Sequence, residues 1–139
     1  MIKRIAHIGI AVKSLKESER LFEKLLGKPS DRTERVEEQS ADLSFYQVGE
    51  SSLELIEPAG PKESSLARFI EKRGEGIHHI CLEVDDLQAE MERLKAQGFR
   101  FVSGAPTPGG DGTIVAFIHP TSANGILVEL CERLHPHRQ

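Results

Sequence analysis

Two stretches of the chain decide its fold: residues 5–12 read Ile-Ala-His-Ile-Gly-Ile-Ala-Val, and residues 77–84 read Ile-His-His-Ile-Cys-Leu-Glu-Val. An offset of 79 − 7 = 72 residues places His79 on His7. Both stretches are rich in β-branched residues, and apolar side chains recur at every second position in each. Both features are typical of β-strands. The chain therefore contains an internal repeat, and each copy begins with a strand that carries a histidine at the same position.

A helix signal follows each of these strands. Ser14 and Glu17 have the spacing of a capping box, and Gly27 follows the apolar stripe of the first predicted helix. Asp86 is the expected N-cap of the second helix, and Gly98 is its expected stop. Each copy thus begins with a strand followed by a helix.

Strand-like runs follow both helices, at 43–48 and 52–56 in the first copy and at 101–102, 113–118 and 125–131 in the second. A short helix is expected near 64–73, between the copies, and the Pro- and Gly-rich loop 105–112 is expected to form a flap without regular structure. We predict one α+β domain over residues 1–139. In it, two tandem β-α-β-β-β modules, at about 3–60 and 75–132, form a single cup-shaped sheet.

Composition excludes several classes of protein. Lys and Arg number 18 against 22 Asp and Glu, a net charge of −4 with no basic stripe, which argues against a nucleic-acid partner. No apolar run approaches the roughly 20 residues of a membrane helix, and the N-terminus lacks the apolar segment of a signal peptide. Cys81 and Cys131 are too few for a disulfide framework and are expected to be small buried residues. We expect a cytoplasmic protein that binds neither nucleic acid nor membrane.

Four residues follow the repeat and have the chemistry of metal ligands. His7 and His79 occupy matching positions in the first strands, and Glu54 and Glu129 lie between apolar residues in the last strand of each copy. If a pseudo-twofold axis brings the halves together, two imidazoles and two carboxylates meet at one point. Such a set suits a divalent transition ion such as Zn²⁺, Co²⁺, Mn²⁺ or Ni²⁺. One such residue alone would more often be an ordinary strand residue, so the prediction depends on the register of all four.

The paired modules with this order of ligands resemble the vicinal oxygen chelate superfamily, and within it the methylmalonyl-CoA epimerase family. The stretches that carry the resemblance are 7–12, 49–58, 69–80, 117–120 and 125–130. The resemblance covers roughly residues 3–132. It implies the glyoxalase-like fold and a divalent metal bound by His7, Glu54, His79 and Glu129.

The same resemblance implies an activity. It is the interconversion of (2R)- and (2S)-methylmalonyl-CoA by removal of the proton alpha to the thioester, with an enolate stabilised by the metal. Glu129 is the first choice for a catalytic base. Some members place a second catalytic glutamate where this chain has Leu43, so Glu54, Asp42 and Glu38 are candidates for that role, in falling order. An acyl-CoA substrate and a homodimer are also implied.

Two other functions share this fold. A glyoxalase I-type lactoylglutathione lyase uses the same ligand set and also moves a proton, so assays with the two substrates separate the two enzymes. A non-enzymatic protein that binds a small molecule is the other alternative. Such proteins typically lack the four ligands, and a metal analysis would distinguish this case.

Overall fold

The computed structural model describes residues 1–134 and forms eight strands and three helices over that range. In chain order they are β1 (Ile2–Ala11), α1 (Leu15–Leu26), β2 (Arg32–Val36), β3 (Ala41–Val48), β4 (Ser51–Pro58), α2 (Ser65–Arg73), β5 (Gly76–Val84), α3 (Leu87–Ala96), β6 (Thr107–Pro108), β7 (Thr113–Ile118) and β8 (Val128–Arg133). The α+β class and the two tandem β-α-β-β-β modules are confirmed.

The chain divides into two compact units with the same internal topology. One unit is His7–His78, and the other combines Met1–Ala6 with the described residues 79–134. In the first, the strand order is β2-β3-β4-β1, and β1 runs parallel to β4. In the second, the order is β5-β8-β7-β6, and β5 runs parallel to β8. The repeat read from the sequence is therefore a repeat of strand order and direction.

In the first unit, the two faces of the sheet are covered by different helices. Helix α1 packs on one face in a cluster with apolar residues of β1, β3 and β4, which are Ile10, Tyr46, Leu53 and Leu55. Helix α2 packs on the other face, where its Leu66 contacts a cluster that includes Leu43 and Ile56. Because side chains alternate along a strand, Glu54 shares its face with Ile56 and lies on the α2 side.

In the second unit, α3 covers one face of the sheet. Leu87, Met91 and Leu94 pack there with apolar residues of β7 and β8. The opposite face holds a smaller cluster in which Cys81 and Cys131 are buried, as expected. Glu129 shares this second face with Cys131, two residues along β8.

The helix ends agree with the sequence prediction. Ser14 Oγ accepts a hydrogen bond from the Glu17 backbone N–H at 3.2 Å, and Asp86 Oδ1 accepts one from that of Ala89 at 3.1 Å. These bonds satisfy N–H groups that have no partner within the helix. Gly27 ends α1 in the left-handed region, with a φ of 74°.

The structure departs from the prediction in three strands. Strand β2 was not among the predicted runs, because its charged sequence, Arg-Thr-Glu-Arg-Val, is that of an edge strand stabilised by pairing with β3. The two-residue β6 lies inside the loop expected to be irregular, where it pairs with β7. Phe101 forms only an isolated bridge to Ile118. Among residues 1–134, the helices are all too short or too polar to cross a bilayer.

Candidate metal site

The first unit pairs His7 of β1 with Glu54 of β4. His7 Nδ1 lies 2.9 Å from Glu54 Oε2, and the two side chains are 13% and 8% exposed. The parallel register aligns Gly9 of β1 with Glu54 of β4. His7 precedes Gly9 by two residues, so its side chain lies on the same face of the sheet as the side chain of Glu54. Two adjacent strands therefore bring together residues that are 47 positions apart in the chain.

The second unit builds the same pair from His79 of β5 and Glu129 of β8. His79 Nε2 lies 3.0 Å from Glu129 Oε1, and the side chains are 6% and 4% exposed. Cys81 of β5 is aligned with Glu129 of β8, and His79 precedes Cys81 by two residues. The register of this pair is therefore the same as in the first unit. The ring of Phe117 meets the His79 ring edge-on, with centroids 6.1 Å apart, and closes one side of the pair.

Both pairs have donor atoms that fit a divalent ion. In each pair the nitrogen and oxygen donors lie within 3.0 Å of each other, close enough to bind the same ion. Imidazole and carboxylate suit Zn²⁺, Co²⁺, Mn²⁺ and Ni²⁺, and two carboxylates would neutralise the ion's charge.

Sequence reasoning missed a second repeated pair of carboxylates, Glu57 and Glu132. Glu57 Oε1 accepts a hydrogen bond from the Leu15 backbone N–H at 2.6 Å, and Glu132 Oε1 accepts one from that of Leu87 at 2.8 Å. Each follows its proposed ligand by three residues and points to the opposite face of the sheet, at the first residue of α1 or α3. A negative charge is favourable at that end of a helix. The signal was present in the sequence, because 132 − 57 and 129 − 54 both equal 75.

Within β3, the described residues on the Glu54 face include no carboxylate; the nearest aligned one is Glu34 of β2, which stands opposite Leu43 and pairs with Arg32 at 2.9 Å. Leu43 is buried in the cluster beneath α2. Asp42 lies on the opposite face of β3 and forms an ion pair with the Arg35 guanidinium. Ser44, on the same face as Asp42, donates to Glu19 of α1 at 2.7 Å, which confirms the direction of that face. Asp42 is therefore turned away from Glu54.

A chain of ion pairs extends along the Glu129 face of the second unit. Arg133, at the end of β8, donates from Nη1 to Asp111 Oδ2 at 2.9 Å. Its Nε lies 3.9 Å from Glu83, which also accepts a hydrogen bond from Arg4 at 2.9 Å. Asp111 belongs to the Pro- and Gly-rich loop and adopts a φ of 57°. The loop predicted as a flap is thus tethered to the strand that carries Glu129.

Comparison with known proteins identifies the family. The sequence profile of the Glyoxalase/Bleomycin resistance protein/Dioxygenase superfamily matches residues 6–117. The uncharacterized protein YqjC of Bacillus subtilis (strain 168) is 40% identical, over 94% of this chain and 93% of the relative. The ethylmalonyl-CoA/methylmalonyl-CoA epimerase of Cereibacter sphaeroides is 38% identical, over 94% of this chain and 98% of the relative.

A solved structure agrees with these relatives. A methylmalonyl-CoA epimerase in complex with methylmalonyl-CoA and NH₄⁺ superimposes with a TM-score of 0.91 at 28% identity, with 100% of both chains covered. The vicinal oxygen chelate fold implies a divalent metal, and the two His–Glu pairs have the donors for one. This chain is therefore an enzyme of the methylmalonyl-CoA epimerase family, within the Glyoxalase/Bleomycin resistance protein/Dioxygenase superfamily.

Proposed function

We propose that this chain interconverts (2R)- and (2S)-methylmalonyl-CoA, with His7, Glu54, His79 and Glu129 as the ligands of one divalent ion, Co²⁺, Zn²⁺, Mn²⁺ or Ni²⁺. The observation that carries the proposal is the repetition of an imidazole–carboxylate pair, with the same strand register, in both units. The names of the relatives and of the similar structure support the substrate.

The reaction requires removal of a weakly acidic proton from C2, the carbon between the thioester and the carboxylate. The bound ion would supply a Lewis acid that stabilises negative charge developing on the thioester oxygen. The electron pair of the broken C2–H bond moves towards that oxygen, and the proton must pass to a base on the protein. A second group then returns a proton to the opposite side of C2, which inverts the configuration.

Glu129 is the proposed base for one side of C2. Its carboxylate is buried against His79, so bulk water does not compete for the proton it takes. A ligand carboxylate is less basic than a free one. Glu129 would take the proton directly or through a single water molecule.

Glu54 is the proposed acid and base for the other side. It is buried beside His7, and the residue directly aligned with it on β3 is the apolar Phe45. Asp42, the second candidate from the sequence, is turned to the opposite face and is held by Arg35. Glu38, the third, lies exposed in the single turn of 3₁₀ helix at Glu37–Gln39.

The test of the reaction is solvent exchange. The metal-loaded protein is incubated with (2R)-methylmalonyl-CoA in D₂O, and deuterium at C2 and the (2S) epimer are measured by NMR and mass spectrometry. We expect both in the wild type, and neither in His79→Ala. A wild type with stoichiometric metal and no exchange would exclude the proposal. Turnover of a glutathione hemithioacetal instead would establish the lyase, and a protein with neither metal nor turnover would be a binding protein.

The role of Glu54 has a separate test, because glutamine keeps a neutral oxygen donor at that position. In Glu54→Gln we expect metal content to persist and epimerisation to fall. Glu129 still removes a proton on its own side, so one epimer of the substrate should still exchange its C2 proton with D₂O. Equal exchange of both epimers, or equal loss of both, would assign the second proton transfer to another group.

Two further properties are proposed along with the activity. The resemblance implies a homodimer, which light scattering after gel filtration would detect as twice the 15.4 kDa mass of the chain. A cytoplasmic location remains a prediction from the sequence and is tested by cell fractionation.

A further inference from the structure

The outer surface of α2 carries two exposed cations at one edge of a surface cavity. Leu66, Phe69 and Ile70 face the cluster beneath the helix, whereas Arg68, Glu71 and Lys72 line a cavity of about 330 Å³ on its outside. Arg68 and Lys72 are four residues apart, so their side chains project from the same side of the helix.

Among the described residues, these two cations have no acidic partner. Over residues 1–134, neither Arg68 nor Lys72 makes an ion pair or a side-chain hydrogen bond, and Glu71 forms no salt bridge with either. Lys28, in the same unit, instead lies 2.9 Å from a carboxylate oxygen of Asp31. Neither cation is therefore held by a direct ion pair, and with the Glu71 carboxylate the lining of the cavity has a net charge of +1.

Helix α2 lies on the face of the sheet that carries Glu54. Its Leu66 packs with Ile56, which follows Glu54 by two residues, or about 7 Å along the strand. The two cations are on the solvent side of the same helix. A ligand whose reacting end is at Glu54 would therefore need a long linker to reach them.

We propose that Arg68 and Lys72 bind the phosphates of the nucleotide end of an acyl-CoA substrate. The identity of this ligand rests on the proposed function. An acyl-CoA carries its thioester at one end of a long, uncharged, flexible arm and a 3′-phosphorylated adenosine diphosphate at the other. A guanidinium binds phosphate oxygens with paired hydrogen bonds, and an ammonium adds a compact positive charge. A local cation pair also offsets the repulsion between this polyanion and a chain of net charge −4.

The other helix of the unit provides a matched control. Arg20 and Lys24 of α1 are also exposed and four residues apart. Helix α1, however, packs on the opposite face of the sheet, away from Glu54. Both pairs carry the same charge on an exposed helix surface. If removing one pair weakens binding more than removing the other, the cause is therefore the position of the pair and not the net charge of the protein.

The binding test uses adenosine 3′,5′-bisphosphate, which lacks the thioester and needs no turnover. Isothermal titration at low salt compares the full-length wild type with the double variants Arg68→Ala/Lys72→Ala and Arg20→Ala/Lys24→Ala. We expect the first variant to bind about tenfold more weakly and the second to match the wild type. The difference should shrink in 0.5 M NaCl, where exposed charges are screened. Equal affinities in the two variants, or no binding by the wild type, would overturn the proposal.

A kinetic measurement links this surface to the substrate. The KM for methylmalonyl-CoA should rise about tenfold in Arg68→Ala/Lys72→Ala and stay unchanged in Arg20→Ala/Lys24→Ala. An unchanged KM in both variants would contradict the phosphate site. A wild type that binds the bisphosphate through α2 but never exchanges the C2 proton would instead contradict the proposed reaction, so the two failures are distinguishable.

Discussion

His79 Nε2 lies 3.0 Å from Glu129 Oε1 across two parallel strands, and both side chains are more than nine-tenths buried. His7 and Glu54 form a similar pair in the other unit, through Nδ1 at 2.9 Å, with the His7 side chain 13% exposed. In each case the histidine stands two residues before the residue aligned with the glutamate. One rule of strand register therefore generates both pairs, and disturbing either strand should disturb both members of its pair.

Glu129→Gln should separate proton transfer from folding. The amide keeps the size and an oxygen donor but accepts a proton far less readily, so exchange at C2 should fall by 10²-fold or more. The measurement is deuterium incorporation in D₂O, with bound metal determined on the same sample by mass spectrometry. Glu92→Gln, an exposed position on α3, serves as the control. Full exchange in Glu129→Gln would remove this residue from the list of bases.

Glu57→Gln and Glu132→Gln should each destabilise the protein. Each substitution removes a negative charge that accepts a backbone N–H at the start of a helix, at a cost of about 1 kcal/mol in the free energy of unfolding. Urea denaturation at pH 7 measures this cost. Glu50→Gln, in the exposed turn between β3 and β4, should change stability by much less. Losses no larger than that of Glu50→Gln would show that the two carboxylates do not hold the helices.

The contribution of Glu90 to stability should depend on pH. The Arg93 guanidinium, which donates to it at 3.1 Å, lowers the pKa of the Glu90 carboxyl below its ordinary value of 4.5. A lowered pKa in the folded state stabilises the fold above the pKa of the unfolded chain, and this stabilisation is lost as the pH falls through the folded pKa.

Glu90→Gln should therefore lower the free energy of unfolding at pH 7 and have progressively less effect as the pH falls below 4.5. Denaturant titrations of wild type and variant at several pH values supply the comparison. Glu92→Gln, on the exposed side of the same helix, should show no such trend. A difference that grows towards acid pH would mean that the ion pair with Arg93 is not the cause.

Asp111→Asn should loosen the loop that leads into β7. The substitution removes the charge that pairs with Arg133 at 2.9 Å, and leaves the bond from Thr113 Oγ1 to the Gly110 carbonyl at 2.6 Å. Amide hydrogen exchange of residues 103–108 should accelerate by up to about tenfold, whereas exchange in α3 should not change. Mass spectrometry of peptic peptides resolves the two regions. Unchanged exchange in 103–108 would mean that the backbone bonds alone fix the loop.

Much of the fold could be predicted because the repeat consists of local sequence patterns. The apolar alternation of β1 and β5 and the caps at Ser14 and Asp86 act within a few residues, and they specify their elements without distant contacts. Strands β2 and β6 have no such pattern. They form because a neighbouring strand offers free backbone groups, which is a property of the assembled sheet.

The sequence by itself determined the two modules and the four candidate ligands, because a repeat offset preserves both strand position and side-chain direction. Tertiary structure decided which carboxylates face the histidines: Glu54 and Glu129 lie beside them, whereas Glu57 and Glu132 turn away to hold α1 and α3. It also placed Asp42 on the face of β3 opposite Glu54, where Asp42 pairs with Arg35. The physical reason is that strand register sets which residues meet across a sheet, and register depends on partners distant in the chain.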